Sequence, residues 1–455
     1  MRRIVGNTFR PKNPPSMNPS PSSAASFTAR PTNVRWRTLG VLIFISFVSY
    51  LLRGNLSIAG PSMVADLQLT EIQWGWVMAA FPLGYAIFQF PGGYLGDRRG
   101  PRLTLTVIAI AWGVLIAVTS LMPSRELAPL VVVIGALLTV QFLVGMAHAP
   151  VFPVIACAIE RWFPTGGWAL PTGLTSSGLT VGLAATASLL PWLMGHVGWR
   201  TSFLILAPFA FLAAALWWWY GRDRPEQHPS INVAEVDLIG SGQQRVTGGD
   251  SKIAAWRRVL GNRDALFMML SYSSMNFVFY VVFSWGFYYL VTERGFEAQE
   301  AGFLTSAQWI MGAAGAAAGG WTCDWMCRRL GLRWGCRWPV VIGCSVSAAL
   351  LIGVALHPNA YVAAVMLGLC FFFNQATEGA FGANAAAIGG RHTGAAYGLM
   401  NTGANLMGFV NALLLSGVAA VLGWTVAIAM GAVFAMLSVV FILLARADQQ
   451  MDQAD

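Results

Sequence analysis

The sequence predicts an all-α membrane protein: twelve transmembrane helices in two pseudo-symmetric six-helix bundles. Three observations lead there. Charged residues make up only 10% of the 455 positions and hydrophobic residues 56%, against about 25% charged in a soluble globular chain. The stretch Gly93 to Arg102, GYLGDRRGPR, joins two apolar runs of spanning length, 72–93 and 103–122. Two spans joined by so few residues form a helical hairpin. The arrangement recurs at Gly320 to Asp324, followed by Arg328, Arg329 and Arg333, with Asp324 lying 227 residues after Asp97. A weak parallel repeat in a polytopic chain marks a transporter built from two bundles.

The elements follow in order. Met1 to Asn33 is rich in Pro, Ser and Arg, and no apolar core follows its arginines. Residues 1–36 therefore read as a disordered cytoplasmic tail and not as a cleaved signal peptide. The first bundle, 37–220, holds spans at 38–59, 72–93, 103–122, 129–158, 170–193 and 201–220. A polar cytoplasmic linker, 221–263, carries Pro225, Pro229 and the string GSGQQ, and an amphipathic piece near Trp256 is its one expected ordered element. The second bundle, 264–446, holds spans at 264–290, 301–320, 338–356, 360–388, 395–418 and 424–445, followed by a cytoplasmic tail, 447–455. Two spans are long for a hydrocarbon core of about 30 Å and are expected to tilt or protrude. Trp217, Trp218 and Trp219 close the sixth span as interfacial anchors. Glycines such as Gly178 and Gly182 are dense in spans 5, 8 and 11, where small residues let helices approach closely.

Charge sets the orientation. Of 28 lysines and arginines, 24 fall in tails and loops that this topology places on one side. Three (Arg125, Arg200, Arg294) fall on the other, and Arg53 lies within the first span. Lys and Arg mark cytoplasmic loops, so the protein is expected to be multi-pass in the cell inner (plasma) membrane with both termini cytoplasmic. The net charge of +9 then reports orientation and contact with anionic lipid, not nucleic-acid binding. No phosphate loop, nucleophile motif or pair of catalytic carboxylates is present. That excludes an ATP-driven pump within this chain and gives no ground for an enzyme or a cofactor. Cys323, Cys327 and Cys336 have a spacing that suggests a metal, but the loop has no matching His, so no metal site is assigned.

Arg53 is the most informative residue. A charge deep in a span is costly and normally faces a cavity or a partner, and the guanidinium fork suits carboxylate or phosphate. It reads as the anchor of an anionic substrate; the alternatives are snorkelling or a structural ion pair, with Glu378 the candidate partner. Tyr50 lies three residues earlier on the same face. Tyr85 and Gln89, one turn apart, offer a hydroxyl and an amide to substrate oxygens or, equally, to a neighbouring helix. Asn401 and Asn405 share a face of span 11 and are candidates for the cavity wall. Two residues are candidates for proton coupling. Glu378 is the acid read as deep in the membrane, with Asn374 on its face. His148 shares a face with Gln141 and is of the one residue type whose ordinary titration falls near neutral pH. Asp97 with Arg98 and Arg102, and Asp324 in the repeat, read as gating or structural elements, since a carboxylate at a helix end bonds strongly to nearby donors.

GYLGDRRGPR and its echo at Gly320 resemble the signature loop of the major facilitator superfamily. The longer stretches LLRGNLSIAGPSMVADLQLTEIQWGWVMAAFPLGYAIFQFPGGYLGDRRGPR, GMAHAPVFPVIACAIERWFP and EGAFGANAAAIGGRHTGAAYGLMNTGAN resemble its anion–cation symporter family. That family includes bacterial sugar-acid (galactonate, glucarate, hexuronate) and phthalate permeases and animal sialin-like carriers. The resemblance implies the major facilitator fold and inner-membrane transport of an organic anion by alternating access, usually with protons. It also implies that Arg53, Tyr50, Tyr85 and Asn401 bind substrate carboxylate and hydroxyls. The chain departs from the sugar-acid pattern at four places. Leu52 stands where those members carry an acid, Gln141 and His148 where they carry an Arg and a Glu, and Gly178 at the usual glutamine.

The expected function is secondary active transport of a small organic anion, a sugar acid or other carboxylate. The expected partners are that anion, a proton or other coupling ion and the lipid bilayer, with no nucleic acid and a monomer as the working unit. An uncoupled facilitator, an anionic-drug exporter and a non-transporting solute sensor are the alternatives left open.

Overall fold

The computed structural model describes residues 30–164, 168–240, 252–389 and 393–445. Most of the N-terminal tail, residues 241–251 of the linker and the C-terminal tail lie outside the described residues. The first crossing is made by α1 (Val34–Arg53) and α2 (Asn55–Leu67), the second by α3 (Glu71–Arg99) and the third by α4 (Pro101–Ser120). The fourth is α5 (Leu130–His148) with α6 (Val151–Trp162), and α7 (Ala169–Tyr220) holds the fifth and sixth on either side of Gly198. The linker carries α8 (Val233–Gly240) and α9 (Lys252–Gly261). The seventh crossing is α10 (Arg263–Tyr280), a wide turn over Val281–Trp285 and α11 (Gly286–Thr292). The eighth and ninth lie in α12 (Ala298–Leu356), on either side of Gly331. The tenth is α13 (Ala360–Gln375) with α14 (Glu378–Gly389), the eleventh α15 (Thr393–Leu422) and the twelfth α16 (Trp424–Leu444).

Among the described residues, nine helical segments are long and apolar enough to cross a membrane. Two of them, Leu170–Tyr220 and Ala298–Leu356, cross twice. The remaining crossing is α3, whose apolar residues are interspersed with glycine, proline and tryptophan. The expected twelve spans are therefore present. Links after crossings 2, 5, 8 and 11 turn on glycines with positive φ: Gly100, Gly198, Gly331 and Gly423, at 83°, 74°, 78° and 82°. A side chain with a Cβ rarely adopts that backbone conformation, so the same tight reversal recurs in each three-helix unit. Gly178 and Gly182 pack as expected, each lying so close to α1 that a Cβ would collide with the carbonyl of Ile43 or Phe47.

Crossings 1, 4, 7 and 10 are interrupted, and the interruptions repeat. The helix of the first crossing stops at Arg53 and that of the seventh at Tyr280; the fourth stops at His148 and the tenth at Gln375. Each pair is 227 residues apart, the offset between Asp97 and Asp324. Local chemistry differs at each break. Gly54 follows Arg53, while Pro150 lacks the N–H that would continue α5. The seventh crossing opens through the wide turn, a form of helix frequent at functional sites. Gly54, Ala149, Val281 and Ala376 all keep right-handed helical backbone, so the interruptions are local irregularities within continuous crossings.

The start of α1 and the linker share one end of the molecule, here the linker face. Glu235 of α8 accepts hydrogen bonds from the backbone N–H groups of Val34 and Arg35, both at 3.2 Å, and from the Thr32 hydroxyl. A buried carboxylate thus sits at the positive end of α1. This acid ties the described residues 221–240 of the linker to the start of α1.

Contacts between the bundles gather toward the opposite, far face. Helix α3 packs on α15, and α7 on α12. A Cβ at Gly75 would collide with Ser416 and the Ala412 carbonyl, and one at Gly302 with the Ala187 carbonyl. The Ser188 and Ser306 hydroxyls are 2.6 Å apart, and Trp424 Nε1 donates to Glu71 at 3.1 Å. Gly75 and Gly302 are also 227 residues apart, so the two seams that close this face correspond to each other in the two halves.

A candidate substrate cavity between the bundles

A cavity of about 430 Å³ runs from the level of Arg53 toward the linker face, with walls from both bundles. Arg53 is the last residue of α1. Its Nη1 donates to the Tyr50 hydroxyl at 2.9 Å and its Nη2 to the Tyr280 hydroxyl at 3.4 Å. The guanidinium carbon lies 4.9 Å from the Phe81 ring centroid, 5.1 Å from Tyr50, 5.2 Å from Phe283 and 5.5 Å from Tyr85. Aromatic faces attract the cation without neutralising it. Among the described residues no carboxylate oxygen comes within 4.0 Å of this guanidinium, and its Nε is buried without a partner. The charge is held by neutral groups and left for an anion to balance.

A polar chain continues into the second bundle. The Tyr280 hydroxyl donates to Asn405 Oδ1 at 3.1 Å, and Asn405 Nδ2 donates to the Asn401 carbonyl at 2.9 Å and its amide oxygen at 3.3 Å. The structure therefore brings Arg53, Tyr50, Tyr85, Asn401 and Asn405 to one cavity. Gln89 is buried and does not line it.

Glu378 lines the same cavity, but it is not the partner of Arg53, which corrects that expectation. The break before α14 places it in the first helical turn, at the positive end of the helix. There Tyr272 donates to its two carboxylate oxygens at 3.3 and 3.2 Å. His148 is away from the cavity wall, stacked on Trp112 at 4.6 Å and edge-on to Phe81 at 5.5 Å. Its Nδ1 lies 3.0 Å from the Val144 carbonyl and its Nε2 3.2 Å from the Ser49 carbonyl, so it fastens α5 to α1.

At the linker face, Arg102 donates from Nε and Nη2 to the Trp218 carbonyl at 3.2 and 2.7 Å, and its backbone N–H donates to Asp223 at 2.8 Å. The described acid that holds this loop is thus Asp223. The Asp97 side chain lies outside the described residues, and Arg98 and Asp324 are exposed.

Sequence reasoning missed Tyr280, Tyr272 and the apolar wall of Phe279, Trp309 and Phe371, whose rings pack edge to face around Trp309. One signal for Tyr280 was present: it stands 227 residues after Arg53, the offset of the repeated loop.

Two six-helix bundles around one central cavity, with an uncompensated cation at its head, define a polytopic membrane transporter. A family model described as the Major Facilitator Superfamily matches residues 42–412, and the chain belongs to that superfamily. Similar proteins include a probable sulfoacetate transporter of Cupriavidus necator, 28% identical over 383 residues, which are 83% of this chain and 85% of that one. The hexuronate transporter of Bacillus subtilis is 28% identical over 341 residues, 74% and 76% of the two chains. Two solved structures share the fold. A bacterial homologue of the human lysosomal transporter Spinster, inward-facing and occupied, gives a TM-score of 0.72 at 18% identity over 91% of this chain and 97% of that one. The nucleoside transporter NupG gives 0.65 at 14% identity over 90% and 99%.

Proposed function

We propose that this protein is a secondary active transporter of a small organic anion, carried across the inner membrane by alternating access with Arg53 as the anchor. The observation that carries the reading is the Arg53 guanidinium, aimed into an inter-bundle cavity and held by two tyrosine hydroxyls with no described carboxylate beside it. Its fork matches a carboxylate or sulfonate, and the similar proteins are named for sulfoacetate and hexuronate. The wall of Phe279, Trp309 and Phe371 supports an anion with few hydroxyls, as does Gly178 in place of a side-chain amide. On the arginine distribution the linker face is cytoplasmic, and the chain works as a monomer. Glu378, on the cavity wall, is the coupling site in this reading, and His148 is a fastener of two helices.

The test is uptake of labelled organic acids into proteoliposomes. Arg53→Ala abolishes uptake while the protein still inserts and folds, and Arg53→Lys keeps a small fraction because an ammonium lacks the fork. Wild-type uptake by a folded Arg53→Ala protein overturns the anchor. A second reading, uncoupled facilitation, is favoured by Leu52 and His148, which stand where sugar-acid members of the family carry acids. Accumulation against a gradient, collapsed by a protonophore, decides between the two.

A further inference from the structure

The eighth and ninth crossings meet at the linker face around Gly331, the counterpart of the Gly100 turn. Cys323 and Cys327 lie one helical turn apart before that reversal, and Cys336 lies after it. Gly335 lets them converge, since a Cβ there would collide with the backbone and sulfur of Cys327. The three Sγ atoms all lie within 4.8 Å of one another, with Cys327 3.9 Å from Cys323 and 3.5 Å from Cys336. All three are free thiols; Cys323 and Cys336 are buried, and Cys327 is half-buried and gives access.

These separations have a chemical meaning. Sulfurs bound to one metal at about 2.3 Å stand about 4 Å from each other. A disulfide brings two sulfurs to about 2.05 Å and leaves the third aside. The cluster is not at disulfide distance; its separations are those of packed reduced thiols and already match sulfurs around one metal. We propose that Cys323, Cys327 and Cys336 form a three-sulfur site for one thiophilic cation of the Cu(I) or Zn(II) class. Thiolate donors select these soft or borderline ions. Each binding thiol releases its proton to solvent, and the metal keeps its oxidation state. The lack of a nearby His does not count against such a site, because three sulfurs suffice for Cu(I), and Zn(II) adds a water as fourth ligand. The bound ion ties the eighth crossing to the ninth, outside the substrate cavity, so the site stands whether or not the transport reading does.

The test uses the reduced full-length protein in nanodiscs. Cu(I) is offered from a chromophoric chelator, and Zn(II) in a separate arm. The expected result is one equivalent taken per chain, a higher unfolding temperature and three thiols shielded from a thiol reagent. Cys327→Ser, at the half-buried position, folds and binds at least about tenfold more weakly, since even outer-shell losses cost that much. Cys336→Ala does the same, and Cys157→Ser leaves uptake unchanged. Three results overturn the proposal. One is no transfer of either metal to the wild-type chain. Another is equal uptake by the Cys327→Ser and Cys336→Ala variants. The third is loss of two thiols on mild oxidation from a cluster that takes no metal, which makes it a dithiol switch.

Discussion

The Arg53 guanidinium and the Tyr280 hydroxyl meet at 3.4 Å, and the two residues occupy the same place in the two halves of the chain, 227 residues apart. Each is the last helical residue before its crossing breaks. The cation of the first bundle is therefore met by its own positional counterpart from the second. In the proposed reading, an anion bound at those guanidinium donors would touch both bundles at once.

Tyr280→Phe removes the hydroxyl that accepts from Arg53 and donates to Asn405. The bond from the guanidinium is charge-assisted but long at 3.4 Å, which puts its loss at the low end, about 1 kcal/mol, so we expect roughly fivefold weaker substrate binding by calorimetry, with the unfolding temperature little changed.

Glu378→Gln should stop proton-driven accumulation while counterflow exchange of substrate continues. His148→Gln should keep accumulation and cost about 1 kcal/mol of stability through its contact with the Ser49 or Val144 carbonyl. Loss of accumulation in His148→Gln with full retention in Glu378→Gln would reverse the assignment.

Gly75→Leu and Gly302→Leu each force a side chain into backbone of the opposite bundle. We expect the far face to stay apart and the transport rate to fall about tenfold or more, since closure gates turnover. Distances between spin labels across that face report the opening directly.

The linker should be sensitive to acid. His228 lies beside Tyr220 and edge-on to Trp162, with ring centroids at 4.7 and 6.0 Å. Burial, and then the nearby Arg222, hold its pKa below the ordinary 6.5, partly offset by Glu235. The unfolded chain takes up the proton more readily, so this contribution is complete above about pH 6.5 and is lost as pH falls through the lower folded value. Hydrogen exchange at 220–240 should quicken on acidification, and His228→Gln should flatten that response.

Most of the fold was legible in the sequence because its signals are local. Apolar runs give the crossings, and GYLGDRRGPR with its echo gives the repeat. The cavity was half legible. Arg53 announced itself because a lone cation in a span demands an explanation, and Asn401 and Asn405 followed from helical spacing. Tyr280 did not, since a tyrosine among Phe277, Phe279 and Phe283 looks like core until the repeat offset is applied to side chains. Glu378 was found but given the wrong companion. Helix periodicity says nothing of the break that turns it toward Tyr272. Cys323, Cys327 and Cys336 were judged by ligand type alone, and only the reversal at Gly331 with the close approach at Gly335 brings the third sulfur home.

The matched interruptions carry one more consequence. The helices are irregular at the same register in both halves, so the chamber's geometry is shared between them while its chemistry is written separately on each. Exchanging the two side chains, Arg53→Tyr with Tyr280→Arg, would reflect the positive charge through the pseudo-dyad and leave it facing the same space. If Arg53 is the anchor, the scaffold thus separates where an anion would be gripped from which half does the gripping.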